Sequence, residues 1–133
     1  MKMIVLASLL IASVSFAQSA DLNENMRAIG QTFRSVVGAM RGGELADVRG
    51  DVQELQMLVV EAKGFVPETV VGLTGDLRDQ ALLSYKDLMT QLESKAYQLE
   101  SAIIADDRAT FGSVLREMNQ LRSEGHGIFN PRN

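Results

Sequence analysis

Apolar residues recur at steps of three and four along almost the whole chain. Leu22, Met26, Ile29, Phe33, Val36 and Met40 make one run, and Leu45, Val48, Val52, Leu55, Val59 and Ala62 a second. Leu77, Ala81, Tyr85, Leu88, Leu92, Ala96, Leu99 and Ile103 make a third, and Phe111, Val114, Met118, Leu121, Gly125 and Ile128 a fourth. Polar residues fill the positions between, the pattern of a helix that buries one face. No stretch sustains the two-residue alternation of a strand. The spacing predicts helices over 22–41, 44–63, 76–104 and 108–129.

The punctuation agrees with these bounds. Asp21, with Glu24 three residues on, resembles a capping box at the first helix, and Gly42-Gly43 breaks the first helix from the second. Asp106-Asp107 offers caps for the fourth, and Asn130-Pro131 ends it. Two of the connections are so short that their helices must be antiparallel neighbours. The predicted fold is all-α, an antiparallel up-down-up-down four-helix bundle. The connection from Gly64 to Gly75 is longer and apolar, with Phe65, Val66, Pro67, Val70, Val71 and Leu73. In such a bundle it lies at the end where the first helix begins and the last finishes. It either plugs that end or shields a hydrophobic ligand there, and Phe65 is its candidate lining residue.

The first nineteen residues change the picture of where this bundle works. Lys2 precedes an almost unbroken apolar run from Ile4 to Ala17, followed by small residues. This is the form of a secretory signal peptide, too short for a membrane span of about 20 residues. Cleavage is expected after Ser19 or after Ala17, leaving residues 20–133 as one domain, exported to a periplasm and not inserted in a membrane. Of 13 basic residues, Lys2 is lost with this segment, leaving 12 against 17 acidic ones and a net charge of −5. That charge argues against nucleic acid and anionic membrane surfaces as partners. The chain has no cysteine, so no disulfide holds the fold in an oxidising compartment. Val37, Leu58 and Leu83 are apolar positions off the stripes that leave self-association open.

Candidate chemistry is sparse. No Glu-x-x-His pair supports a di-iron site, and one histidine with no cysteine cannot supply a structural zinc site. There is neither a nucleophile elbow nor a phosphate-binding loop. What remains is Met26, about 6 Å along the first helix at 1.5 Å per residue, and His126, the only histidine, at a similar depth from the end of the last. The bundle brings both to one end. A thioether facing an imidazole across a core is one way to hold a haem iron. Each residue also has an ordinary reading: Met26 as a core filler, His126 as a surface side chain, Arg122 as a solvated charge and Tyr85 as a core aromatic.

Two segments carry a family resemblance. Ala20-Asp21-Leu22-Asn23-Glu24-Asn25-Met26 resembles the mature start of the cytochrome b562 family, soluble periplasmic haem proteins built as up-down four-helix bundles. Leu121-Arg122-Ser123-Glu124-Gly125-His126 is similar to that family's last helix, with an arginine four residues before a ligand histidine. The resemblance implies one non-covalent haem b per chain, with Met26 and His126 as axial ligands and Arg122 beside its edge. It also implies that Tyr85 and Met89, counted back from the histidine, stand where the family packs two phenylalanines on the porphyrin. The middle of the chain is less alike, the interval from Met26 to His126 is a few residues longer, and Gly125 and Gly127 flank the histidine. The related cytochromes c prime attach haem through two cysteines before the histidine, where this chain has Arg122-Ser123-Glu124-Gly125.

Two filled axial positions imply an electron carrier rather than an enzyme, paired with a redox partner protein. Two other functions stay in view. One is a haem-less structural or interaction bundle of the cell envelope. The other is an iron whose methionine leaves easily, opening a site for small gases or weak peroxidase activity.

Overall fold

All four apolar stripes fold as helices in the computed structural model, which describes residues 21–129. Helix α1 spans Leu22–Gly42, and α2 spans Arg49–Lys63 after a 3₁₀ turn over Leu45–Val48. A single helical turn, α3 (Glu68–Val71), interrupts the next connection, followed by α4 (Gly75–Ile104) and α5 (Arg108–Phe129). There is no strand among the described residues. The signal segment 1–19 with its cleavage sites, and the Asn130-Pro131 stop, lie outside the described residues.

The ends of the helices follow their local chemistry. The Asp21 carboxylate accepts a hydrogen bond from the Glu24 amide at 2.8 Å and starts α1. The second predicted helix divides into a 3₁₀ turn and an α-helix. The Glu44 amide donates to Asp47 Oδ2 at 3.3 Å and tightens the chain there. A 3₁₀ turn places residues three apart on one side, so Leu45 and Val48 both enter the core. The Asp106-Asp107 pair divides its labour. Asp106 takes the left-handed conformation (φ 54°) and turns the chain out of α4. Asp107 caps α5, accepting from the Thr110 amide at 3.1 Å and from its hydroxyl at 2.7 Å, bonds that hold its carboxyl below the usual range. Arg108 reaches back from α5 to the carbonyls of Met40 (2.7 Å) and Gly43 (2.5 Å), satisfying the end of α1 with a positive charge.

Side-chain pairs set the order of the helices. Asn25 of α1 donates to the Leu58 carbonyl of α2, and Gln56 of α2 donates to Ala96 O and Glu100 Oε1 of α4. Arg49 pairs with Glu100, while Tyr85 donates to Ala62 O. Lys95 of α4 meets Glu117 of α5 at 2.7 Å, and Met40 of α1 lies by Gly112 of α5. Between α2 and α4 the partners run in opposite order, Arg49 with Glu100, Gln56 with Ala96 and Ala62 with Tyr85.

Val36, Val52, Leu55, Val59, Ala62, Ala96, Leu99 and Phe111 are wholly enclosed in the core. Each enclosed side chain of valine size or larger contributes roughly 1.5–3 kcal/mol against the unfolded chain. Two stripe residues depart from expectation: Leu77 is 66% exposed and Ile128 63%. Tyr85 already meets the last turn of α2, so the α4 turns before it overhang. Ile128 lies in the final turn of α5, on the side away from the Phe129 ring that meets Tyr85 of α4. Of the off-stripe positions, Leu58 is buried and so not free for self-association, whereas Leu83 is exposed.

Candidate functional site

The apolar connection between α2 and α4 folds over one end of the bundle. Pro67 and Val70 are buried in it, and Pro67 starts α3, its carbonyl accepting from the Val70 amide at 2.9 Å. Thr69 Oγ1 donates to the Phe129 carbonyl at 3.3 Å and fastens the loop to the end of α5. The loop therefore plugs part of this end and walls the rest.

Behind it lies a cleft of about 1020 Å³ between α1, α4 and α5, at the upper edge of the roughly 300–1,000 Å³ of small-molecule sites. Met26, Phe65, Tyr85, Met89, Arg122 and His126, the six residues singled out from the sequence, all line it. Tyr85 and Met89 are buried in its α4 wall, while Met26, Phe65 and Arg122 are half-buried. His126 is exposed, at the solvent side of the cleft. Ile29, Leu88, Leu92 and Leu121 supply further apolar lining.

Each wall is held by contacts from outside the cleft. Asn25, next to Met26, is fully buried, and its Nδ2 donates to Leu58 O at 3.0 Å and Glu61 Oε1 at 3.1 Å. Those bonds fix the rotation of α1 and with it the direction of Met26. Its Oδ1 is the buried side-chain acceptor without a partner among the described residues. The Tyr85 hydroxyl donates to Ala62 O at 2.6 Å, and burial pushes its pKa up to about 12, so it keeps its proton. Its ring meets that of Phe129 edge-on, with centroids 5.3 Å apart. The Arg122 guanidinium lies 4.8 Å from the centre of the Phe33 ring, a cation–π contact across α1 and α5. Burial, then the charge of Arg34, push the Arg122 pKa down.

Sequence reasoning missed Asn25, Gly30, Phe33, Arg34 and Phe129. Phe33 was legible as core but not as a platform for Arg122. Phe129 falls off the fourth stripe, and its only signal was being an aromatic residue in the final turn.

The glycines beside His126 differ in kind. A Cβ on Gly125 would come 2.7 Å from Leu88 Cδ2, so its bareness lets α5 approach α4 directly behind the histidine. A Cβ on Gly127 would meet nothing within 4 Å. Gly127→Ala is therefore expected to stabilise the protein by about 0.5–1 kcal/mol through helix propensity. Gly125→Ala is expected to gain nothing or to lose stability, because Leu88 must swing aside. Denaturant midpoints of the two variants provide the check.

Among the described residues, no three His, Cys, Asp or Glu side chains cluster to hold a bare metal ion. The cleft instead offers the Met26 thioether of α1 and the His126 imidazole of α5, with the second thioether, Met89, buried in the apolar α4 wall. That donor set suits a metal that brings its own equatorial ligands on a planar, apolar frame. No described helix is long and apolar enough to cross a membrane. No protein-family model, curated protein or solved structure gives a significant match to the chain.

Proposed function

We propose that this chain is a b-type haem protein that carries single electrons, as its resemblance to the cytochrome b562 family implies. The observation that carries the reading is the cleft itself: Met26 of α1 and His126 of α5 line one cavity of sufficient size. A chain without cysteine leaves only non-covalent attachment.

In this reading Met26 and His126 would hold the haem iron through the thioether and the imidazole. Bound there, haem supplies a one-electron couple whose ferrous form the thioether favours, raising the potential. The residues around it do the rest. Tyr85, Met89, Leu88 and Leu92 present apolar surface and keep water off the macrocycle. Phe65 and the fastened loop close the end of the cleft. The bonds of Asn25 and Tyr85 tie α1 and α4 to α2, so the walls keep their spacing in both oxidation states. With the thioether and the imidazole both engaged, such a group would supply electron transfer rather than chemistry on a substrate. We place the protein in the periplasm after removal of residues 1–19, working with a redox protein whose contact surface complements the net charge of −5.

The test is a titration of the haem-free protein with ferric haem, followed by reduction. Saturation at one haem per chain with sharp low-spin bands in both states is the expected result. Absence of saturable binding would overturn the reading and leave the haem-less envelope bundle in its place.

A further inference from the structure

Two arginines converge inside the cleft on a point where the backbone is bare. A Cβ built on Gly30 would lie 3.4 Å from Arg122 Nη2 and 3.7 Å from Arg34 Nη1. Gly30, Arg34 and Arg122 all line the cavity. Arg34 comes from the next turn of α1 and folds back toward its N-terminus, the ordinary direction of a helical side chain. Arg122 comes from α5, has its guanidinium carbon 4.8 Å from the centre of the Phe33 ring and is half-buried. The ion pairs among the described residues are Arg49–Glu100, Lys63–Glu93 and Lys95–Glu117, and none engages either arginine. Arg122 Nη1 reaches Asn119 Oδ1 only at 3.4 Å, which leaves donors of both forks available.

The charges of the cleft are segregated. Its carboxylates, Asp21 and Glu68, come from the start of α1 and from the capping loop. Gly30 lies nine residues beyond Asp21, about 13 Å along the helix. Arg27, beside Met26, adds a further positive charge to the α1 wall. An elongated ligand entering this cleft therefore meets acid at one end and paired guanidinium groups at the other.

We propose that Arg34 and Arg122 form a carboxylate clamp that sets which way round an amphiphilic, planar dicarboxylate lies in the cleft. The proposal rests on the haem reading, and the carboxylates are then the two propionate groups of iron protoporphyrin. Each guanidinium presents a fork of donors that matches a carboxylate. Two like charges drawn together in a half-buried setting repel, and an anion between them turns that repulsion into attraction. Gly30 leaves room for the anion where any larger residue would fill the gap. The apolar body of the ligand then extends from Gly30 toward Met26 and His126.

The experiment compares iron protoporphyrin IX with its dimethyl ester, the same macrocycle without carboxylates. Both are titrated into the haem-free full chain, as wild type, Arg34→Gln, Arg122→Gln and the double variant. The wild type is expected to bind the acid at least ten-fold more tightly than the ester. That ratio falls in each single variant and approaches one in the double variant. Equal affinity of the wild type for both forms, or a ratio that persists in the double variant, overturns the clamp while leaving the haem reading in place. Failure of both forms to bind overturns the haem reading and the clamp with it. Arg34 is exposed, so Arg34→Gln keeps the test decisive even where loss of the Arg122–Phe33 contact impairs folding.

Discussion

Replacing His126 with alanine is expected to abolish low-spin haem binding, with affinity falling by more than the roughly 10–100-fold typical of losing a group that merely supports a metal ligand. Met26→Ala is expected to keep haem but turn it high-spin. The asymmetry comes from the donors. Neutral imidazole is the commonest metal ligand and serves iron in both oxidation states. A thioether is soft and favours the reduced metal, so its loss opens a position without releasing the group. Spectra of the two variants beside wild type, oxidised and reduced, provide the measurement. His126 is exposed, so His126→Ala is expected to shift haem-free stability by no more than about 0.5 kcal/mol. An unchanged melting temperature without haem then separates lost ligation from lost folding. A His126→Ala protein with the wild-type spectrum would remove His126 from the site altogether.

The bundle was legible in the sequence because periodicity reports directly which face of each helix turns inward. The four stripes located the helices, and their bounds differ from the structure by a residue or two, apart from the 3₁₀ entry to α2. Periodicity does not report how far one helix overhangs its neighbour, which is why Leu77 and Ile128 continue their stripes yet face solvent. Nor did it mark α3, four residues that start at buried Pro67 and bury Val70 inside what read as an apolar connection.

The cleft was legible in a different way. Position along two helices was enough to bring Met26 and His126 to one end, and short family-like segments singled out Arg122, Tyr85 and Met89. What the sequence lacked was reach across the bundle. Arg34 looks like any solvated charge until its guanidinium is seen beside that of Arg122 over Gly30. Gly125 looked like a weakness in the last helix, and in the structure it is where Leu88 of α4 packs against the bare backbone of α5. Both are relations between helices, and no pattern within one helix encodes them.

Phe111→Ala is expected to have the largest effect on stability and none on the ligand's share of it. Phe111 is fully buried near the start of α5, at the end of the bundle that holds Leu45, Val48, Leu99 and Ile103. It lies fifteen residues before His126, about 22 Å along the helix. Removing an enclosed phenylalanine ring costs about 3–5 kcal/mol, a large part of the roughly 5–15 kcal/mol that holds such a domain together. The haem-free melting temperature is expected to fall by roughly 10–25 °C. In the proposed reading haem would add a separate increment, set only by its concentration and affinity for the folded chain. Substitutions this far from a site add to its effects within about 0.5 kcal/mol. The stabilisation by haem is therefore expected to match that of wild type when both are measured by denaturant unfolding with and without ligand. A markedly smaller increment in Phe111→Ala would mean that packing at the closed end sets the geometry of the cleft, and that this bundle transmits strain along its full length.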